Sequence, residues 1–155
     1  MDIHELKESE VTLVMPLMKS LYKKWDKIDL IDKIEGGWFS SAEGLDYLKN
    51  IIFNKNKLLL VVFEDNKIIG YLLAEIEIRK PFLQKTGYLA ELFILQNYRN
   101  DSQGSDLFKK AIDWFDKKNI KWVTVGTHSF DSGAISFWES KGFVEFNKSF
   151  KLKIH

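Results

Sequence analysis

The sequence predicts a mixed α/β fold in which one β-sheet carries helices on both faces. Three observations lead there. In four separate stretches apolar residues recur at three- and four-residue spacing, the mark of helices that bury one side. Between them run short segments rich in Leu, Ile, Val and Phe that read as strands. The order is two helices, two joined strands, then strand–helix–strand–helix–strand, which belongs to a layered α/β architecture. With 155 residues the chain suits one domain spanning 1–155.

The first helix is expected over residues 9–25, where Val11, Leu13, Val14, Leu17, Met18, Leu21 and Tyr22 form one stripe, with Pro16 capping or kinking it. A polar stretch flecked with aromatics follows, DKIDLIDKIEGGWFSS. Ser40, with Glu43 three residues on, has the capping-box pattern and opens a second helix whose face is Leu45, Leu48, Ile51 and Ile52. The period then changes. Residues 58–63 and 68–78 read as strands joined by the turn Glu64-Asp65-Asn66-Lys67. Glu75, Glu77 and Arg79 alternate with Ile76 and Ile78, so one face of the second strand is expected to meet water. Residues 88–95 are almost wholly apolar, as a central strand would be. Leu107, Phe108, Ala111, Ile112 and Phe115 give the third helix its stripe, and residues 122–125 a short strand. A fourth helix is expected over 131–141, ended by Gly142 in the left-handed position. Residues 143–154 read as a last strand, able to pair in the same sheet or across a homodimer.

Composition narrows the partners. Lys plus Arg number 23 and Asp plus Glu 22, so no basic field exists to hold a nucleic acid. Hydrophobic residues make up 45%, including twelve Phe and five Trp, ample for a core. The longest apolar run, LLLVVF, is too short to span a membrane. The polar N-terminus MDIHELKESE does not read as a secretion signal. There is no cysteine, which excludes disulfides, thiolate metal sites and a thiol nucleophile, and fits a reducing cytoplasm. His4, His128 and His155 have no metal-ligand spacing, so no metal is expected.

The segment YRNDSQGSDLF, residues 98–108, places Arg99 and a run of small or polar residues directly before the third helix. A helix start leaves four backbone N–H groups without partners and carries partial positive charge, so such a loop suits a phosphate. Asn100, Asp101, Ser102, Gln103, Gly104 and Ser105 form this candidate cradle, and Arg99 offers a charged donor. The plain alternative is a helix cap.

The apolar strand LAELFIL, the pattern Arg99-x-x-Ser102-x-Gly104, and the later Asp131-x-x-Ala134-x-x-Phe137-Trp138-x-x-x-Gly142-Phe143 together resemble the GNAT superfamily of N-acetyltransferases. The order of elements is similar over nearly the whole chain. The resemblance implies a mostly antiparallel twisted sheet with a splayed pair of parallel strands, here those at 88–95 and 122–126. It implies acetyl-CoA as cofactor, its pyrophosphate on the amides of residues 99–105 and its pantetheine arm along the backbone of Leu92, Phe93 and Ile94, in the manner of an added strand. Asp131, Ala134, Phe137 and Trp138 are then further cofactor contacts. Three residues depart from the family pattern: Ser102 stands for a glycine, Asp101 puts an acid in the cradle, and Trp138 stands where many members have a tyrosine that protonates the departing thiolate. Indole N–H is no acid at neutral pH; Trp138 is then a packing residue.

Acetyl transfer to an amine needs a base. Glu91 is the single charge in YLAELFIL, and a carboxylate within a buried strand is costly unless paired or used; the competing reading is a solvent-facing or ion-paired residue. His128, after the strand WVTVG, is the second candidate, its ordinary pKa suiting proton transfer, against the plain role of a loop histidine. Asp131 also suits the cap of the fourth helix. The resemblance puts the acceptor over residues 26–40, facing the strand with Glu75 and Glu77. Asp29, Asp32 and Glu35 would draw a cationic amine, with Trp25, Trp38 and Phe39 as walls; Lys27 and Lys33 in the same loop are what a solvated surface would also carry. The acceptor is expected to be a primary amine, on a small molecule or on a protein. Two other readings use the same residues: a non-catalytic acyl-CoA-binding domain, and a nucleotide-binding regulator.

Overall fold

The sheet has five strands arranged in chain order: β1 (Asp2–Glu5), β2 (Lys57–Glu64), β3 (Lys67–Glu77), β4 (Thr86–Ile94) and β5 (Val123–Val125). The structure, a computed structural model, describes every residue from Met1 to His155 and divides into two compact units, Met1–Val125 and Gly126–His155. Pairs β1–β2, β2–β3 and β3–β4 are antiparallel, and β4–β5 is parallel. The fold class read from the sequence is therefore the one observed.

The β2–β3 hairpin forms where its turn chemistry predicts. Asp65 and Asn66 take φ of 48° and 62°, and Glu64 lies opposite Lys67. Asp and Asn are the side chains that best tolerate left-handed backbone after glycine. By contrast β1 has no signal of its own. Its polar residues show no alternation; it becomes a strand by adding its backbone to β2, from Asp2↔Phe63 to Glu5↔Leu60. His4 stacks on Phe63 at 5.2 Å and is bracketed by Asp2 and Glu10 at 2.7 and 3.1 Å.

Helices α1 (Val11–Ile28) and α2 (Ala42–Ile52) cover one face of the sheet. Val14, Met18 and Leu21 of α1 and Leu48 and Ile51 of α2 form one core with Leu59, Val61, Tyr71, Leu73 and Phe93. Pro16 lies inside α1, which runs on past it. Helix α3 (Gln103–Lys117) covers the opposite face: Leu107, Ala111 and Phe115 are fully buried, and a Cβ at Gly87 would strike the Phe115 ring. At about 25 cal/mol per Å² of buried apolar surface, these two layers supply the dominant stabilisation of the unit.

The N-cap of α2 is Ser41, not Ser40. Ser41 Oγ accepts from the Gly44 N–H at 3.1 Å, while Ser40 is drawn into a 3₁₀ turn, Gly36–Ser40, and donates to the Gly37 carbonyl. Gly44 is there for closeness: a Cβ would collide with the Trp38 carbonyl and the end of Met15. Gly44→Ala is therefore expected to destabilise by about 1–3 kcal/mol, read as a lower urea midpoint, although alanine is the better helix former.

In the second unit α4 (Ser132–Ser140) is capped by Asp131, whose Oδ1 accepts from the Ala134 N–H at 3.1 Å, as expected. Asp131→Ala should cost about 1 kcal/mol of helix stability, measurable as reduced amide protection in residues 132–135. Gly142 closes α4 with φ of 93°. The strand expected over 143–154 is absent. Val144, Phe146, Phe150, Leu152 and Ile154 do alternate with polar residues, but they stand exposed and no ladder forms. Alternation supplies a strand's side chains, whereas a strand exists only where a backbone partner accepts it.

Candidate active site

Regular alternation along β4 would put Glu91 on the same side as Gly87 and Leu89, beneath α3. A bulge prevents this. Leu73 lies opposite Glu91 but the next residue, Ala74, lies opposite Leu89, so Ala90 is an extra residue on β4. Beyond it Glu91 and Phe93 share a face with Leu73 and Tyr71, the face that α1 and α2 cover.

Glu91 is buried there, 7% exposed. Its Oε1 accepts the Tyr22 hydroxyl at 2.6 Å and its Oε2 the Tyr71 hydroxyl at 2.7 Å. Burial raises its carboxyl above the ordinary carboxylate range; the two phenol donors pull the other way without cancelling this, and Glu75 adds repulsion. Burial and the neighbouring Glu91 charge push the Tyr22 and Tyr71 phenols far upward and Tyr47 to about 12, so all three stay protonated at neutral pH. Tyr88 is raised as well, by burial and by Glu77, Glu75 and Glu91.

Tyr22 has a second role. With Ile34, Glu35, Trp38, Phe39 and Tyr47 it lines a cavity of about 300 Å³. The rings brace one another: Tyr22 to Phe39 at 5.5 Å, Phe39 to Trp38 at 5.3 Å and Trp38 to Tyr47 at 5.4 Å, all edge-to-face. One phenol thus joins the cavity wall to the buried carboxylate.

Of the expected acceptor residues, Glu35, Trp38 and Phe39 line this cavity. Trp25 sits one ring behind, 4.9 Å from Tyr22. Asp29 accepts from the Ile31 N–H just after α1, and Glu75 pairs with Lys57 at 3.3 Å; neither is in the cavity wall. Lys33 reaches back to Asp26 at 3.0 Å. Tyr22, Ile34 and Tyr47 are additions that the sequence did not single out. The available signal was Tyr22 itself, a polar tip within an apolar stripe, since a buried phenol needs a partner.

At the cradle, Asn100 takes the left-handed turn, φ 72°, and Ser102 has helical φ of −74°, so serine in place of glycine causes no strain. Ser102 is the N-cap of α3 but makes no side-chain cap; its hydroxyl donates instead to Asp106 at 2.7 Å. Asp101 is exposed. Gln103 turns its side chain inward: Nε2 donates to Met1 Sδ, and Oε1 is buried without a partner, so only its amide faces the loop. Gly104 and Ser105 follow in the first turn, half-buried. Arg99 Nε donates to the Ile94 carbonyl at 2.9 Å, and its guanidinium lies over Phe93 at 5.7 Å.

The parallel ladder between β4 and β5 runs only from Gly87↔Val123 to Leu89↔Val125, while β4 continues to Ile94. Because Leu95 N–H bonds Ile69 O, alternation directs the backbone of Phe93 at β3 and those of Leu92 and Ile94 away from it. An uncapped helix start and an open strand edge are what a pyrophosphate and an amide-bearing arm require, so the residues fit the cofactor.

In the second unit His128 packs against Phe130 at 5.3 Å, and its carbonyl accepts from the Asp131 N–H. Trp138 is buried, edge-on to Phe137 at 4.8 Å and Phe143 at 5.6 Å, and Lys141 lies over Phe137. Ala134 is half-buried in the first turn of α4.

A family model described as Acetyltransferase (GNAT) family matches residues 22–143. The chain belongs to the GNAT family. The resemblance carried by the Arg99 loop and the 131–143 element is thereby borne out. Among curated proteins, this GNAT chain is 22% identical over 145 residues to an uncharacterized N-acetyltransferase, YhfO, of Bacillus subtilis, covering 94% of this chain and 91% of that one. It is 25% identical over 104 residues to N-alpha-acetyltransferase 30 of Homo sapiens, covering 67% of this chain but only 28% of the human protein. Among solved structures, a tetramutant of a Bacillus halodurans protein superposes with a TM-score of 0.80 at 16% identity, covering 99% and 100% of the two chains. An aminoglycoside N-acetyltransferase in complex with CoA gives 0.73 at 15% identity, covering 99% of each. Both share the fold. No helix is long and apolar enough to cross a membrane.

Proposed function

We propose that the chain works as one acetyltransferase domain, moving acetyl from acetyl-CoA to a primary amine within a ternary complex, with Glu91 as the base reached through Tyr22. The observation that carries this is the double placement of Tyr22, in the cavity wall and 2.6 Å from Glu91. Family membership supports acetyl transfer, and the CoA-bound relative of the same fold supports the cofactor. Relatives named for aminoglycosides and for protein α-amines make either a small molecule or a protein the possible acceptor.

An amine arrives as its ammonium and must lose a proton before it attacks. The ammonium gives a proton to Tyr22 Oη as Tyr22 gives its own to Glu91 Oε1. The phenol ends unchanged, Glu91 ends neutral and the amine ends with a free lone pair. Because burial raises Glu91, it holds that proton better than a surface carboxylate does. When bound, acetyl-CoA would supply the thioester: a carbon–nitrogen bond would form as the carbon–sulfur bond breaks, and CoA would leave as its thiol with the amine's second proton. The amides of Gln103 and Gly104, with Arg99, would hold its pyrophosphate, and the open edge at Leu92 and Ile94 its arm. Asn100, Asp101, Ser102 and Ser105 shape that loop. Trp138 donates no proton in this scheme; with Asp131, Ala134 and Phe137 it belongs to the element that family resemblance places at the cofactor, and His128 is the second candidate base.

Calorimetric titration with acetyl-CoA, CoA, dephospho-CoA and ATP, beside thiol release with a panel of amines, tests this. Micromolar binding of acetyl-CoA and not ATP, with amine-dependent thiol release, is expected. Binding without any release would leave a non-catalytic acyl-CoA-binding domain, and preference for ATP a nucleotide-binding one.

A further inference from the structure

The cavity walls state what kind of amine they accept. Four of the six lining residues are aromatic, Tyr22, Trp38, Phe39 and Tyr47, and a fifth is Ile34. The one charged group is Glu35, exposed at the rim. Aromatic faces attract a cation through their quadrupoles, most strongly when water is excluded. One carboxylate at the rim and one buried behind Tyr22 are too few to balance a polyamine of three or more charges. Hydrogen-bonding groups are few: the Tyr22 hydroxyl donates to Glu91 and is hydrogen-bonded to the Tyr47 hydroxyl beside it. Hydroxyls laid against these walls would therefore lose water without replacement, at about tenfold in affinity or more for each orphaned group. The cavity, about 300 Å³ and open to solvent on one side, suits a small body.

We infer that the acceptor is a compact apolar monoamine, an arylalkyl or branched alkyl primary amine, whose ammonium meets Tyr22 and whose body lies among Trp38, Phe39 and Tyr47. This rests on the acetyltransferase reading above, but binding tests it separately. The position of Trp38 makes the pocket sensitive to its own scaffold. The Trp38 carbonyl is fixed by Ser41, which donates from Oγ at 2.6 Å and from its backbone N–H at 3.1 Å, so the ring is presented from a held backbone.

The decisive experiment measures binding of four probes by tryptophan fluorescence and calorimetry, without acyl donor: 2-phenylethylamine, 3-methylbutylamine, spermidine and glucosamine, with 2-phenylethanol as the uncharged control. The two apolar monoamines are expected to bind at least about 100-fold more tightly than glucosamine, two orphaned groups' worth, and more tightly than spermidine and the alcohol. Trp38→Phe should weaken 2-phenylethylamine several-fold, and Glu35→Gln, at an exposed site that leaves folding intact, should narrow the gap between amine and alcohol. Equal or tighter binding of glucosamine or spermidine overturns the inference, as does no binding of any probe. Thiol release then addresses the other reading alone. Tight, Trp38-dependent binding of 2-phenylethylamine with no release keeps the pocket's specificity and removes the catalysis; release with glucosamine as preferred acceptor does the reverse.

Discussion

Glu91→Gln is expected to lower kcat/KM for the amine by about 10²–10⁴-fold, the range that a positioned general base contributes. The wild-type profile should rise with pH through the Glu91 pKa, which burial holds above the usual carboxylate range, and the variant should lose that limb. The same substitution has an opposite effect on stability. Glu91 titrates higher in the fold than in the unfolded chain, so folding favours its neutral form. The stability this contributes is complete below the unfolded value and is lost as pH rises through the folded one. A permanently neutral glutamine escapes that loss. Above the window Glu91→Gln should melt no lower than wild type, and any advantage should fade as pH falls through it. A buried carboxylate retained at a cost to stability is what a trade of stability for activity would leave.

Tyr22→Phe should bring the second-largest loss, about 10²-fold or more in kcat/KM, because the carboxylate keeps its place but loses its route to the cavity. Removing a hydroxyl that donates to Glu91 also removes one of the two influences that lower its pKa, so the acidic limb should move upward. Tyr71→Phe separates the two effects. It deletes the other donor, at 2.7 Å, and should raise the limb as well, yet Tyr71 is fully buried and lines no part of the cavity. Above its limb Tyr71→Phe should therefore recover near wild-type rates while Tyr22→Phe stays slow. Measured pH profiles of the three proteins decide this directly.

What the sequence could and could not reveal follows from how local each feature is. The Asp65-Asn66 turn, the stripe of α3, the Asp131 cap and Gly142 are written in adjacent residues, and all appear where expected. Glu91 was legible because a lone charge in an apolar strand is an anomaly at any register. Its partners were not. Tyr22 is 69 residues away in the chain and Tyr71 20; one lies on the apolar stripe of a helix and the other in an apolar strand, and both patterns read as core. The bulge at Ala90 that turns Glu91 toward them carries no glycine or proline to mark it. β1 and the missing C-terminal strand err in opposite directions for one reason: pairing belongs to the partner backbone, which a single segment's pattern does not contain. In the α1–α2 connection Glu35, Trp38 and Phe39 reach the cavity wall, whereas Asp29 does not, since it serves its own turn.

The relay from the cavity through Tyr22 to Glu91 is tested most directly by a double-mutant cycle on kcat/KM, using Tyr22→Phe, Glu91→Gln and the two combined, measured by thiol release above the acidic limb. If the proton passes through both groups as one unit, removing the second after the first costs little, and the double variant should be no slower than Glu91→Gln alone. If the two losses multiply, Tyr22 and Glu91 act independently, and the relay is contradicted.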